Sequence, residues 1–301
     1  MFSYNSCEYY HSFPKYQNIF WLSSYPKSGN TWIRTFISSI IYSKDGISNF
    51  NNLERIPQYP MRRHFQNLIE NFQNVNDIKK NWIISQEKMN LDNKIKFLKT
   101  HHVNCKMGTD SFTNLDNTKG VIYIVRDPRN VVTSIKNHFS LNTYDDAKRF
   151  IFDEYRWVGF VSDKNIVRDN KLPTLISSWS MNYKSWKNMS ENFLLIKYED
   201  LLINPDKEFA KIVKFLNSIL NIEFNKKKIS EAIKTSSFNN LKKLEKLGLF
   251  GESVADTKSG EKKDFFYLGP ENDWKRLLDN KIAKEIEQKF QDEMKELKYL
   301  D

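Results

Sequence analysis

The amino-acid sequence predicts an α/β protein, a single domain in which a mostly parallel central sheet is flanked by helices. Short apolar segments rich in β-branched and aromatic residues alternate with longer amphipathic segments, and one α/β domain commonly reaches 301 residues. Strand patterns occupy residues 19–22, 94–98, 121–125 and 193–197, and helical patterns occupy residues 32–41, 128–138, 207–219 and 281–297. Because such sheets bind ligands at the carboxyl ends of their strands, the residues that follow each strand are the candidate site residues.

The composition excludes several classes of protein. Hydrophobic residues make up 40% of the chain, which is enough for a core and excludes wholesale disorder. No segment approaches the roughly 18 to 20 uninterrupted apolar residues of a membrane-spanning helix, and residues 1–17 lack the pattern of a secretory signal. The two cysteines, Cys7 and Cys105, cannot form a disulfide framework or a metal cluster alone, which favours a reducing compartment. We therefore expect a cytoplasmic protein without a membrane span.

The net charge of +10, from 47 basic and 37 acidic residues, has several interpretations. A basic excess suits nucleic acid, an anionic membrane surface or a polyanionic small ligand, and an ordinary solvated surface also accounts for it. A nucleic-acid-binding protein would need basic residues clustered with stacking aromatic residues, and the longest basic run spans only residues 226–228. Composition alone leaves these alternatives open.

The turn after the first strand has the composition of a phosphate-binding loop. Residues 23–32 read SSYPKSGNTW, a strand end followed by a tight turn and the start of a helix. Backbone N–H groups and the positive helix end would point at an anion, and Lys27, Ser28 and Thr31 would add a charge and two hydroxyl donors. Lys27 precedes Gly29, whereas a Walker A lysine follows the last glycine, which disfavours a kinase or ATPase. The turn is P-loop-like, and an ordinary strand–turn–helix connection is the alternative.

The 121–125 strand is followed by a second set of polar side chains. Arg126 offers a fork of donors suited to phosphate oxygens, and Pro128 suits the first position of a helix. Ser134 would then lie about two turns along that helix. The alternative is an Arg–Asp surface pair, which is common and nearly neutral.

The 94–98 strand is followed by Lys99, Thr100, His101 and His102. Histidine titrates near neutral pH and is the usual general base for a hydroxyl. Adjacent residues of a strand face opposite sides, so at most one of the two histidines is expected to point into a site. A merely packed or solvated histidine is the alternative.

Together these segments resemble the cytosolic-type sulfotransferases, which use 3′-phosphoadenosine 5′-phosphosulfate (PAPS). The family's Tyr-Pro-Lys-Ser-Gly-Thr-Thr-Trp segment matches residues 25–32 except at Asn30, and its Lys-Thr-His segment matches residues 99–101. Its Arg-x(7)-Ser segment matches Arg126 and Ser134. Further similarity at residues 179–186, 197–201, 236–238 and 269–275 follows the family's order, so the resemblance covers about residues 16–295.

The resemblance implies an enzyme that moves a sulfuryl group from PAPS to an acceptor hydroxyl or amine by in-line transfer, without a metal. It implies that His101 removes the acceptor proton, that Lys27 stabilises the leaving oxygen and that Lys99 assists at the sulfuryl oxygens. The residues that it implies for donor binding are Lys27, Ser28, Gly29, Asn30, Thr31, Trp32, Arg126, Ser134, Tyr198, Ser236, Phe238 and Gly269.

Two departures from the family pattern concern the 3′-phosphate. The family usually has Arg-Lys-Gly where this chain has Tyr267, Leu268 and Gly269, and its second glycine is Asn272 here. Whether Lys262 or Lys263 replaces the missing cations stays open. The family's dimerisation stretch is not evident, so the oligomeric state stays open too.

The acceptor is the least determined part of the interpretation. Residues 150–160 would be either an aromatic wall of an acceptor pocket or an amphipathic helix with a core face. Leu249 and Phe250, flanked by Gly248 and Gly251, would belong either to a mobile loop within residues 243–266 that closes over the site or to a surface turn with one buried Phe. Small phenols, sterols, sugars and lipid-linked acceptors all remain candidates. A carbohydrate or lipid sulfotransferase of the same fold and a basic nucleic-acid-binding protein are the rival functions.

Overall fold

A computed structural model describes residues 16–72, 74–159, 172–250, 254–255 and 262–301. The strands are β1 (Ile19–Ser24), β2 (Lys96–Thr100), β3 (Lys106–Met107), β4 (Asp110–Ser111), β5 (Thr118–Val125), β6 (Trp157–Val158), β7 (Thr174–Leu175), β8 (Phe193–Lys197), β9 (Val254–Ala255) and β10 (Lys262–Lys263). Four of them form the central sheet in the order β2-β1-β5-β8. All neighbouring pairs in this sheet are parallel, as the sequence predicts.

The register of the central sheet brings its carboxyl ends to one edge. Ser23 of β1 lies opposite Thr100 of β2, and Ser24 lies opposite Ile124 of β5. Val125, the last residue of β5, lies opposite Lys197, the last residue of β8. The residues that follow these four strands therefore meet at the same edge.

Helices cover the sheet on both faces. They are α1 (Asn30–Tyr42), α2 (Phe50–Leu53), α3 (Val75–Lys80), α4 (Trp82–Asn90), α5 (Pro128–His138), α6 (Tyr144–Phe152), α7 (Trp179–Lys187), α8 (Tyr198–Ile203), α9 (Pro205–Leu220), α10 (Lys226–Thr235), α11 (Phe238–Lys246), α12 (Trp274–Leu277), α13 (Asn280–Lys289) and α14 (Gln291–Glu296). Short 3₁₀ turns lie at Arg62–Phe65 and Gly269–Glu271. None of the helices in the described ranges is long and apolar enough to cross a membrane.

Local sequence signals set the ends of the helices near the site. Pro128 occupies the first turn of α5, and the Asp127 carboxylate accepts a hydrogen bond from the Arg129 backbone N–H. The same arrangement begins α9, where Pro205 follows a capping Asn204. A proline tolerates these first positions because their N–H groups have no partner within the helix. The predicted start of the 128–138 helix is thus confirmed.

The two faces of the sheet pack into two separate hydrophobic clusters. On β1, Trp21 packs with α4 to α7 on one face, whereas Phe20 and Leu22 pack with α1 and α9 on the other. Strand β5 alternates in the same way, with Tyr123 on the first face and Ile122 on the second. Alternation of buried side chains on both faces is what a parallel sheet covered by helices requires.

Candidate active site

A cleft of about 710 Å³ lies at the carboxyl edge of the central sheet. The predicted site residues that line it are Lys27, Gly29, Asn30, Thr31, Trp32, Lys99, His101, Arg126, Ser134, Tyr198, Phe238 and Gly269. The two others, Ser28 and Ser236, do not line the cleft and are fully buried beside it. Three strand ends that the sequence analysis singled out separately thus contribute to one site.

The turn between β1 and α1 is shaped by two residues with positive φ. Lys27 has φ 67° and Gly29 has φ 98°. A side chain at Gly29 is excluded by its neighbour, because a Cβ atom there would lie 2.4 Å from Cδ2 of Tyr198. The first turn of α1 leaves backbone N–H groups without partners within the helix, and its residues Asn30, Thr31 and Trp32 line the cleft together with Lys27. This is the P-loop-like geometry that the sequence predicts.

Asn30, the one mismatch to the family in this turn, is used to hold the turn together. Its side-chain amide N–H donates to the backbone oxygen of Leu22, 2.9 Å away, and to Oγ of Ser24 at 3.2 Å. The amide therefore fastens the start of α1 to the end of β1. This contact orients the backbone of the turn.

Lys27 projects toward a segment that follows β10. Its Nζ lies 3.4 Å from the backbone oxygen of Phe265 and 4.0 Å from the centroid of that ring. The backbone N–H groups of Phe265 and Phe266 donate to the buried carboxylate of Glu245 on α11, at 2.6 and 3.0 Å. Glu245 thus holds this segment over the ammonium group of Lys27.

The two adjacent histidines have separate environments. His101 lines the cleft, and its Nδ1 lies 2.8 Å from the backbone oxygen of Ser24. Because a carbonyl oxygen only accepts hydrogen bonds, Nδ1 carries a proton, so that in the neutral form of the ring the lone pair lies on Nε2. His102 is fully buried, stacks on Phe112 with 4.1 Å between ring centroids, and its pKa is lowered to about 4 by burial. Only His101 faces the site, which confirms the expectation for this pair.

Lys99 reaches the cleft from the end of β2, and it is buried. Its backbone is fixed on both sides, because its N–H donates to the oxygen of Pro57 at 2.9 Å and its oxygen accepts from Tyr59 at 2.8 Å. A lysine with a fixed, buried backbone holds its charge at one edge of the site. Lys99 and Lys27 give that edge a positive potential.

Arg126 connects the segments after β1, β5 and β8. Its guanidinium donates to the backbone oxygen of Lys27 at 3.1 Å and to Oγ of Ser134 at 3.3 Å. The centre of the guanidinium lies 4.3 Å from the centroid of the Tyr198 ring. Burial raises the pKa of Tyr198, which keeps the phenol neutral beside the cation. Arg126 and Ser134, which the sequence analysis matched to one family segment, are thus in direct contact.

The 3₁₀ turn at Gly269–Glu271 completes this side of the cleft. Gly269 has φ 54°, and a Cβ atom there would lie 2.1 Å from Cζ of Phe238. The side-chain amide of Asn272 donates to Oγ of Ser134 at 3.1 Å, and its oxygen accepts from Thr133 at 2.6 Å. Asn272, which stands where the family has glycine, therefore fastens this turn to α5.

The family's missing Arg-Lys pair has no direct substitute at its own positions. Tyr267 and Leu268 line the cleft there without adding charge. Lys263 also lines the cleft, and its Nζ donates to the oxygen of Asn137 at 3.2 Å and to Oγ of Ser140 at 2.8 Å. Those contacts place it beside the last turn of α5. The side chain of Lys262 lies outside the described residues.

The remaining walls of the cleft are mainly apolar. They include Phe50, Leu53, Met61, Phe139, Val158, Leu172 and Phe250. Within residues 150–160, Phe150 and Ile151 are buried in α6, as the core alternative requires, whereas Val158 and Gly159 line the cleft and Phe160 lies outside the described residues.

Of the two alternatives for Leu249 and Phe250, the described residues fit a surface turn with one buried Phe. Leu249 is exposed, whereas Phe250 is buried against Phe265 and Phe266. Phe250 contributes to the cleft wall. Gly251, with the rest of residues 251–253, lies outside the described residues, as do residues 256–261.

A comparison with protein families matches residues 17–298 to the sulfotransferase domain. The chain belongs to the sulfotransferase family. Among curated relatives, sulfotransferase 2A1 of Macaca fascicularis is 28% identical over 59% of this chain and 57% of its own length. Sulfotransferase 1E1 of Rattus norvegicus is 23% identical over 91% of this chain and 82% of its own length. The chain thus spans little more than half of the macaque protein that it matches.

Solved structures share the fold of this sulfotransferase. Mouse sulfotransferase SULT7A1, in a complex with PAP, has a TM-score of 0.55 at 19% identity and covers 92% of this chain and 84% of its own. A retinol dehydratase in a complex with androsterone and the inactive cofactor PAP has a TM-score of 0.55 at 17% identity and covers 93% and 81% of the two chains. These likenesses confirm the predicted α/β fold.

The sequence analysis missed Glu245, which anchors the segment over Lys27. It noted Asn272 only as a departure from the family's glycine and gave no sign of its bond to Ser134. Both contacts join segments that lie far apart in the chain, so no local pattern reveals them. In the ranges that the structure covers, no group of three or more His, Cys, Asp or Glu side chains could hold a metal ion.

Proposed function

We propose that this chain transfers a sulfuryl group from PAPS to a hydroxyl group of an acceptor. The observation that carries the proposal is the convergence of Lys27, Lys99, His101, Arg126 and Ser134 on one cleft at the edge of the sheet. The structures of SULT7A1 and of retinol dehydratase, which share this fold, were solved with PAP. That finding supports the donor class.

Several polar atoms suit a ligand that carries phosphate groups. Nε of Arg126 and Nε1 of Trp32, two residues that line the cleft, are buried and have no hydrogen-bond partner among the described residues, and the same holds for Oγ of Ser28 directly behind the cleft. A buried donor without a partner costs about 1–3 kcal/mol, so a ligand that supplies acceptor oxygens would be bound favourably there. The donor set fits PAPS, a nucleotide with phosphate groups at both ends of its ribose.

Different residues of the cleft would bind three different parts of PAPS. Lys27, Ser28 and the N–H groups at residues 28–31 would hold the 5′-phosphosulfate, and Arg126 with Ser134 would hold the 3′-phosphate. Trp32, Tyr198 and Phe238 would enclose the adenine. When bound, PAPS supplies the sulfuryl group with a leaving phosphate oxygen.

His101 is the proposed general base. Its Nε2 would accept the proton of the acceptor hydroxyl while the new sulfur–oxygen bond forms and the bond from sulfur to the leaving phosphate oxygen breaks. Lys27 would stabilise the negative charge on that leaving oxygen, and Lys99 would stabilise charge on the sulfuryl oxygens. The Ser24 carbonyl would keep Nδ1 protonated and the ring oriented throughout.

The apolar walls favour a compact apolar alcohol or phenol as the acceptor. A glycan would need many side-chain hydrogen-bond partners, whereas aliphatic and aromatic residues outnumber polar ones such as Glu54, Gln58 and Arg63 in the rest of the lining. An acceptor screen with labelled PAPS distinguishes the two classes. Transfer to apolar alcohols or phenols supports the proposal, and transfer to oligosaccharides alone contradicts it.

Donor binding tests the core of the proposal. Adenosine 3′,5′-bisphosphate should raise the melting temperature, with stabilisation that grows as RT ln(1 + [L]/Kd). Lys27→Ala should weaken this shift, and Lys44→Ala, which removes the same charge from an exposed position after α1, should leave it unchanged. No shift of the wild-type protein at millimolar ligand would overturn the donor assignment.

A further inference from the structure

A network of side chains behind the cleft joins the last part of the chain to the segment that carries Arg126. The hydroxyl of Tyr299 donates to Oε2 of Glu199, 2.8 Å away. The other oxygen of that carboxylate accepts from the backbone N–H of Asp127 at 3.0 Å. Glu199 follows Tyr198, and Asp127 follows Arg126. One carboxylate therefore bridges the two segments that form the proposed nucleotide pocket.

Tyr299 is itself held from two sides. Its backbone oxygen accepts from the guanidinium of Arg129 at 3.0 Å, and Nζ of Lys197 lies 4.4 Å from the centroid of its ring. The Lys197 ammonium also donates to the backbone oxygen of Leu297 at 2.7 Å. These contacts come from β8 and α5, the elements that end and begin at the cleft.

We infer that Tyr299, acting through Glu199, is a positioning residue for Arg126 and Tyr198 in the nucleotide pocket. The expected effect on PAPS binding rests on the proposed function, whereas the positioning of Asp127 by Tyr299 and Glu199 rests on the contacts alone. The backbone N–H of Asp127 has Glu199 as its hydrogen-bond partner, and Pro128 after it has no N–H to offer. Without the Tyr299 hydroxyl, the carboxylate would lose the contact that fixes its orientation toward Asp127.

Because the Glu199 carboxylate is partly buried, it depends on its hydrogen bonds with Asp127 and Tyr299 to stay charged and oriented. Burial raises the pKa of Glu199, and the hydrogen bonds from Asp127 and Tyr299 oppose that rise. Burial also raises the pKa of Tyr299 well above its usual value, which keeps the phenol a hydrogen-bond donor. A partly buried carboxylate that loses a donor has a strong tendency to rearrange.

The matched variants are Tyr299→Phe and Tyr183→Phe. Tyr183 also donates its hydroxyl to a glutamate, Glu296, at 2.7 Å, but that pair lies on α7 and α14 away from the cleft. Each variant removes one phenolic hydrogen bond of the same type and keeps the ring. Hydrogen–deuterium exchange at the Asp127 amide should become about tenfold faster in Tyr299→Phe and stay unchanged in Tyr183→Phe.

Binding and turnover give the functional half of the test. Tyr299→Phe should weaken binding of adenosine 3′,5′-bisphosphate about tenfold and raise the KM for PAPS, with kcat at saturating PAPS unchanged. Glu199→Gln should retain most of the affinity, because the amide accepts from Asp127 and donates to the Tyr299 oxygen, whereas Glu199→Leu should match Tyr299→Phe. Similar effects of Tyr299→Phe and Tyr183→Phe, or unchanged exchange at Asp127, would overturn the inference.

The experiments test the proposed function and the positioning role of Tyr299 separately. If the wild-type protein does not bind the bisphosphate, the proposed function is wrong, and the exchange measurement still decides whether Tyr299 positions Asp127. If the wild-type protein binds the bisphosphate and Tyr299→Phe binds it equally well, the proposed function stands and the positioning role is wrong.

Discussion

Replacement of His101 by alanine separates chemistry from donor binding. The Nδ1 proton of His101 is directed at the Ser24 oxygen, 2.8 Å away, so Nε2 is the atom available to take a proton from an acceptor. The contacts of the imidazole with Ser24 are separate from those of Arg126 with Ser134 and Tyr198, which form the proposed 3′-phosphate and adenine side of the cleft. His101→Ala should therefore leave the nucleotide pocket intact while it removes the base.

The expected fall in kcat of His101→Ala follows from the proposed role of His101 as general base. A positioned general base contributes about 10²–10⁴-fold in rate, which corresponds to about 3–5 kcal/mol of activation free energy. We expect kcat to fall by that factor and the Kd for adenosine 3′,5′-bisphosphate to change by less than about twofold. The assay is steady-state transfer from labelled PAPS, combined with calorimetric titration of the bisphosphate.

Ser24→Ala is the matched control for the orientation of the ring. It removes Oγ, which lies 3.2 Å from Nδ1 and also accepts from Asn30, but it keeps the backbone oxygen that binds Nδ1 and the shorter bond from Asn30 to Leu22. Its kcat should fall by less than about tenfold, because the shorter contact survives. Full turnover by His101→Ala, or loss of nucleotide binding with retained turnover, would refute the assignment of the base.

Three further perturbations test other parts of the structure. Arg126→Ala should raise the KM for PAPS much more than it changes kcat, because the 3′-phosphate that it is proposed to hold is remote from the transferred group, and an unchanged KM would contradict that role. Gly29→Ala should destabilise the fold and weaken binding of the bisphosphate, because its Cβ would lie 2.4 Å from the Tyr198 ring. Gly248→Ala is the control, because a Cβ there would have no atom within 4 Å. Its free energy of unfolding in a denaturation experiment should fall only by the backbone strain, about 1–3 kcal/mol. The free energy of unfolding should fall as pH drops from 6.5 to about 4, because unfolded His102 takes up a proton that the folded protein excludes. In His102→Phe, the free energy of unfolding should fall by about 3 kcal/mol less over this pH range. If the variant loses as much stability as the wild-type protein, His102 is not a neutral buried imidazole.

The strands of the central sheet could be predicted because each is a short apolar segment followed by a polar strand end. The second strand is Lys96–Thr100 and not 94–98, because Asn93 adopts φ 52° and the pairing with β1 starts at Lys96. The 281–297 helix is divided at Phe290, whose buried ring packs against Trp179 at 5.2 Å. Periodicity of apolar residues continues through that break, so the sequence carries no signal for it.

The candidate site was predictable to the extent that it follows strand ends. Lys27, His101 and Arg126 each follow a predicted strand, and parallel strands bring such residues to one edge. Glu245 and Asn272 act between segments that only the tertiary structure brings together. No local pattern marks Glu245, and the family pattern marks Asn272 only as a departure. Residue chemistry at strand ends thus predicts the reacting groups, whereas the groups that support them depend on packing.

Recognition of the proposed 3′-phosphate depends on few residues in this chain. Tyr267 and Leu268 add no charge where the family has Arg and Lys, and Lys263 donates to α5 at Asn137 and Ser140. Among the described residues, the proposed role gives Arg126 a large share of that attraction, and a guanidinium supplies it only when its planar fork is held in the right orientation. A phosphate site with fewer cations is more sensitive to the position of each of them. This concentration of binding free energy on Arg126 is the physical reason why a hydrogen bond from a residue as remote as Tyr299 should change the affinity for the donor.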